Sequence, residues 1–187
     1  MNSEDRFVVQ PLMHWFKEQK AHWNLQKPSH SSSARGWDIE ATRKNQDLLI
    51  EAKYIAGPAI SSFAGLVTAP IARRAQRSMV RKYRSSGHGV CWAIGIKPPR
   101  NMYQILFDYM ARNQLFWKHY GEDLRMKYIF FVQEGEVTKI PFTAFLRMSK
   151  LYADRTDDKT SLLARRRIAD DLLSAYLKRA LPALTFA

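Results

Sequence analysis

Cysteine is nearly absent from this chain. Cys91 stands alone among 187 residues, so no intrachain disulfide can form and the fold must be held by burial; a reducing compartment, the cytoplasm, is expected. Metal-binding spacing is missing too. His14, His22, His30, His88 and His119 show no ligand pattern, and with one Cys a structural zinc site is excluded. No secretory leader is expected, because "MNSEDRF" is acidic and polar rather than basic and then apolar. Long apolar runs are scarce. The one uncharged stretch, Tyr54 to Ala72, carries two prolines, two glycines, two serines and a threonine, which suits a buried loop and helix rather than a membrane span. There is no internal repeat and no disordered linker.

Acid is in short supply as well. Lys+Arg number 30 against Asp+Glu 17, a net charge of +13, so the expected partner is a polyanion, with nucleic acid ahead of an anionic membrane and no membrane association anticipated. A basic surface that serves only solubility is the other reading. Hydrophobic residues make up 46%, enough for a sizeable core, and the length fits a single domain, 1–187.

Apolar periodicity at Phe7, Val8, Leu12, Trp15 and Phe16 predicts a helix over 4–20, with Ser3 as N-cap and a kink at Pro11. "HWNLQ" reads as a strand. "GWDIEA" and "LLIEAKY" read as an antiparallel hairpin across "TRKNQD". A helix from about Ser62 to Arg84 follows, then a buried strand in "GHGVCWAIGIK". Beyond "PPR", "MYQILFDYMARNQLFWKHY" has helical spacing. "KYIFFVQEGEVTKIPF" suggests two strands about a Glu-Gly turn, and the remainder is helical. Strands alternating with helices place the chain in the α/β or α+β class.

Centring the hairpin turn between Lys44 and Asn45 sets Ile39 opposite Ile50, Ala41 opposite Leu48 and Trp37 opposite Ala52 on one apolar face. The other face then sets Asp38 opposite Glu51, roughly 5 Å apart at the β-carbons. Lys53 shares that face, about 6.6–6.8 Å along the strand from Glu51. Two like charges across a ladder repel; Lys53 relieves part of this and a divalent cation relieves more. An exposed strand face with a Glu51–Lys53 salt bridge fits the same residues, and spacing alone does not choose between them.

At these residues the chain resembles the PD-(D/E)XK nuclease superfamily, whose fold is called restriction-endonuclease-like. Asp38 lies in "GWDIEA", the Glu-X-Lys half is "EAK" at 51 to 53, and "LLI" precedes it. The resemblance covers roughly the first hundred residues. It implies an α/β fold with an αβββαβ core (about 1–100), its mixed central sheet flanked by helices, followed by a mostly helical extension (about 101–187). It implies hydrolysis of DNA phosphodiester bonds. Asp38, Glu51 and the Ala52 carbonyl would hold Mg²⁺ or Mn²⁺, and Lys53 would assist the water nucleophile. A further acid on the first helix is common in the family; Glu4 is the candidate here, ahead of Glu18. The glutamine that some members place after the lysine is missing, so no subfamily is indicated.

Arg73, Arg77, Arg81 and Arg84 recur at three- and four-residue intervals, with Arg74 and Lys82 beside them, a stripe suited to tracking phosphates or simply a solvated helix face. Arg165 to Arg167 are a second basic candidate. The aromatics Phe107, Tyr109, Phe116, Trp117 and Tyr120 suit core packing before base stacking. Two functions stay open: a nuclease acting on DNA ahead of RNA, or a non-catalytic nucleic-acid-binding subunit that keeps the nuclease fold within a larger assembly. A homodimer or a partner protein bound through the C-terminal half is compatible with either.

Overall fold

The computed structural model describes residues 2–19, 22–27, 37–56, 77, 81, 89–98 and 100–184. It is an α/β structure whose strands form one six-stranded mixed sheet in the order β1-β2-β3-β4-β5-β6. A π-helical turn, Asp5–Val9, leads into α1, Gln10–Glu18. The strands are β1 (Asn24–Gln26), β2 (Ile39–Arg43), β3 (Gln46–Ile55), β4 (Gly89–Ile96), β5 (Met126–Gln133) and β6 (Glu136–Pro141). Four more helices follow among the described residues: α2 (Met102–Ala111), α3 (Gln114–Asp123), α4 (Phe142–Arg155) and α5 (Leu162–Leu184). The helix expected over 62–84 lies outside the described residues, apart from Arg77 and Arg81, which are helical.

The chain divides into two units. The first comprises Met1–Pro98 and Tyr120–Phe142 and contains the sheet; the second comprises Pro99–His119 and Thr143–Ala187.

In the first unit β1, β2 and β3 form an antiparallel meander, β4 runs parallel to β3, β5 runs parallel to β4, and β6 returns antiparallel. All eight residues of β4 are buried, as a continuous apolar run in a central parallel strand requires. The hairpin adopts the expected register, with Ile39 opposite Ile50, Ala41 opposite Leu48, and Arg43 opposite Gln46 around the Lys44-Asn45 turn. Val8, Leu12 and Phe16 pack onto Ile39, Ile50, Ala52, Cys91 and Phe130, so period-3.6 and period-2 apolar patterns meet on one sheet face. At Gly95 that approach is close: a Cβ would come within 2.8 Å of Val8 Cγ2 and 3.1 Å of the Val132 carbonyl oxygen. Gly135 serves a different need. It and Glu134 both have positive φ (86° and 51°), the pair a tight β5–β6 turn of primed type demands.

One expectation at the amino end needs correction. Asn2, not Ser3, caps the helical segment: its Oδ1 accepts from the Asp5 N–H at 2.7 Å while Ser3 is already helical. Pro11, which has no N–H to donate, stands at the start of α1 inside the continuous helical segment, beside the irregularity that its missing bond leads one to expect. The irregularity lies just before it as the π-helical turn, in which the Gln10 N–H reaches back five residues to the Asp5 carbonyl.

In the second unit Asn101 caps α2, its side chain accepting from the Gln104 N–H at 2.8 Å and donating to Asp170 Oδ1 at 2.8 Å. The Phe107 ring stacks on Phe145 at 4.9 Å and leans on Tyr152 at 5.4 Å. Asp108 is a hub for three partners: Arg165 Nη1 at 2.7 Å, the Tyr152 hydroxyl and the Gln104 amide. Burial pushes the Tyr152 hydroxyl pKa up, and the neighbouring Asp108 carboxylate pushes it further.

Candidate functional site

The candidate site forms where the helical amino end meets the carboxyl-terminal part of β3. Glu4 precedes the π-helical turn, and its Oε2 lies 3.7 Å from Lys53 Nζ, each side chain about one quarter exposed (27% and 26%). Asp38 leaves the ladder one residue before β2 begins. Its N–H donates to the Ile50 carbonyl at 3.0 Å, and its Oδ2 accepts from the Ala52 N–H at 2.7 Å. The carboxylate thus takes the place of a backbone acceptor where β2 has not yet started.

That geometry changes the cross-strand picture. The β2–β3 ladder ends at Ile39 opposite Ile50, so Asp38 and Glu51 are not ladder partners, nor are Trp37 and Ala52. Asp38 is turned towards the backbone of β3 because Ala52, fully buried, has an N–H that needs an acceptor. Glu51 is half-buried and alternates to the same strand face as Lys53; its neighbour in the parallel ladder is Trp92.

The electrostatics tie Glu4 to both other groups. Burial is the largest influence and raises its pKa above 4.5, and the negative charge of Asp38 raises it further. Lys53 and a hydrogen bond from the Tyr54 backbone pull the other way, and lose. Glu4, Asp38 and Lys53 therefore share one electrostatic neighbourhood. Glu18, the other acid considered, pairs instead with His14 at 3.1 Å on an exposed surface. Among the described residues, no group of three or more His, Cys, Asp or Glu side chains comes together closely enough to hold a metal ion.

Of the arginine stripe, Arg73, Arg74, Lys82 and Arg84 lie outside the described residues. Arg81 is exposed, and Arg77 Nε lies 3.3 Å from Asp123 Oδ2. Arg165 is turned inward to Asp108, which leaves Arg166 and Arg167 exposed on that turn. Phe107, Trp117 and Tyr120 are buried, as core aromatics are. Sequence patterns gave no sign of the Asp38–Ala52 hydrogen bond or of the Asp108 hub, since neither lies at a periodic spacing.

Among the described residues, no helix is long and apolar enough to cross a membrane. No protein-family model, curated protein or solved structure matches the chain.

Proposed function

We propose that the protein is a metal-dependent nuclease of the restriction-endonuclease-like fold, hydrolysing phosphodiester bonds, with DNA ahead of RNA. The observation that carries this reading is that Glu4 pairs with Lys53 at 3.7 Å while Asp38 is anchored on the Ala52 N–H, both within the "EAK" segment of β3. The order α1, three antiparallel strands and then β4 parallel to β3 supports the fold assignment.

The donor chemistry fits Mg²⁺ or Mn²⁺. Asp38, Glu51 and the Ala52 carbonyl offer oxygen only, and Mg²⁺ is commonly bound by one or two carboxylates with waters and substrate phosphate oxygens. The Ala52 N–H faces Asp38, and in a strand the carbonyl of the same residue lies on the same edge. Asp38 keeps lone pairs for a cation after accepting from Ala52, because an ionised carboxylate has about four acceptor sites. When bound, the ion would neutralise charge gathering on the phosphate oxygens. Lys53 supplies fixed positive charge beside the attacking water and the crowded phosphate, lowering the cost of the water losing its proton. Glu4 holds that ammonium group in place and so acts as a positioning residue.

The test is incubation of the purified protein with plasmid, linear and branched DNA in Mg²⁺, Mn²⁺ or EDTA. Cleavage is expected only with a divalent ion, and Lys53→Ala and Asp38→Ala should each lower it by about a hundredfold or more. Uncut substrates, or variants that cut as fast as the parent, overturn the proposal.

One observation favours a second reading. The Asp38 carboxylate has a structural partner in the Ala52 N–H, which suits a non-catalytic nucleic-acid-binding subunit that retains the fold. Salt-sensitive DNA binding that ignores chelator and is never followed by cleavage distinguishes it. In either case a second copy or a partner protein would engage the C-terminal half.

A further inference from the structure

A cavity of about 370 Å³ opens at the carboxyl ends of β3, β4 and β5. Tyr54, Ile96 and Val132 line it from the strand ends, Arg6 and Phe7 from the π-helical turn, and Glu134 from the β5–β6 turn. Open α/β sheets bind ligands outside the carboxyl ends of their strands, where the parallel strands finish together. The cavity borders the candidate site along the chain: Arg6 and Phe7 follow Glu4 within one turn, and Tyr54 follows Lys53, its side chain alternating to the other strand face at the same strand end.

Its aromatic wall is partly open to solvent. Phe7 is 42% exposed although its ring stacks on Tyr54 at 5.0 Å and 27°, and the Arg6 guanidinium lies 5.1 Å from its centroid. A phenylalanine contributing only to the core would turn inward with Val8 and Val9, which are buried. Here the ring lines a cavity that also presents a donor, Arg6, and an acceptor, Glu134. That combination matches a nucleobase: a flat π-face to stack, with an edge that both donates and accepts.

We propose that this cavity takes an unpaired base of a nucleic-acid strand whose neighbouring phosphate lies at Glu4, Asp38 and Lys53. The inference rests on the nuclease reading and names its substrate class. Bases inside a duplex are stacked on one another and cannot enter, so a single strand, flap or frayed end is the preferred substrate. An apolar side chain of a protein partner would fill the volume without using the charges of Arg6 and Glu134.

The test measures binding separately from cleavage. Anisotropy of the full chain in EDTA is recorded with a short labelled oligothymidylate, an abasic oligomer of equal length, a duplex, and thymidine monophosphate as competitor. The oligothymidylate should bind on the order of tenfold more tightly than the abasic strand and the duplex. Phe7→Ala should abolish that preference while keeping abasic affinity, and Phe7→Trp should retain it. Arg6 is exposed, so Arg6→Ala should fold and weaken the preference even if Phe7→Ala does not fold. Equal affinity for the two strands, a preference untouched by Phe7→Ala or Arg6→Ala, or mononucleotide binding as tight as the oligomer overturns the inference. Base preference without cleavage sinks the nuclease reading alone; cleavage without base preference sinks the cavity alone.

Discussion

Replacing Asp38 separates its structural role from the proposed one. Ala52 is 0% exposed, and its N–H donates to Asp38 Oδ2 at 2.7 Å. Asp38→Ala leaves that donor buried with no acceptor, which costs about 1–3 kcal/mol. For a chain of this size each kcal/mol moves the melting temperature by about 2–4 °C, so a drop of roughly 2–12 °C is expected. Asp38→Asn keeps an oxygen in the same place and removes the charge. It also removes the repulsion that helps hold the Glu4 carboxyl above its usual range, so its stability should stay within about 1 kcal/mol of the parent. Cleavage should fall in both variants, because an amide neither grips a divalent ion nor shapes the field as a carboxylate does. Circular dichroism melts and plasmid nicking in Mn²⁺ read the two effects apart. An Asn variant that melts with the Ala variant refutes the acceptor role. One that nicks at the parent rate refutes the role of charge.

Three further predictions concern the frame around the site. Lys27 donates to the Asp5 carboxylate and holds its pKa below 3.8, so this pair stabilises the fold above the unfolded value and ceases to as pH falls through the folded one. Asp5→Asn should cost less than about 1 kcal/mol at pH 7, and the urea-denaturation gap from the parent should close as pH falls through the folded value; a gap that persists in acid refutes the assignment. Cys91 is fully buried and its thiol is pushed up to about 12, chiefly by burial, so labelling by a thiol reagent should follow unfolding; rapid labelling of the native protein contradicts this. Asp108→Ala leaves the buried Tyr152 and Gln104 without their acceptor and should cost about 1–3 kcal/mol in urea denaturation, with Asp108→Asn less damaging; equal stabilities would remove the hub from the account.

What the sequence made legible is what repeats. Ile39, Ala41, Leu48 and Ile50 alternate, and a slip of one residue would turn all four to the wrong face, so register follows from the pattern. The Glu134-Gly135 turn is equally readable, because few residue pairs tolerate two positive φ values. Asp38 escapes this logic. The residue at the mouth of a hairpin is free to leave the ladder, and a carboxylate there competes with the backbone for N–H groups, as Asp side chains do. The aromatic segment after "PPR" reads as one helix, yet it breaks at Arg112-Asn113 into α2 and α3, a break that periodicity does not register. Glu4 was indicated only by resemblance; the distance to Lys53 comes from the packing of the helical amino end over β3.

Each acid at the site has a separate structural explanation: Glu4 pairs with Lys53, and Asp38 serves the Ala52 N–H. Taken singly, these explanations are sufficient. Taken together they leave a residue unaccounted for, because the net effect on Glu4 is unfavourable to its ionised form. Burial and the Asp38 charge outweigh both the ammonium group and the backbone hydrogen bond. A glutamine at position 4 would keep the packing and the donor from Tyr54 without the repulsion, but would give up the ion pair with Lys53. Holding Glu4 within the field of Asp38 therefore has a cost that its pair with Lys53 only partly offsets, and the proposed site, in which Glu4 positions the ammonium group, gives that cost a purpose. The adjacent lysine follows the same pattern. An ammonium needed only to neutralise Asp38 would pair with it directly, but Lys53 is drawn to Glu4, which leaves Asp38 oriented by the backbone and open to a further partner.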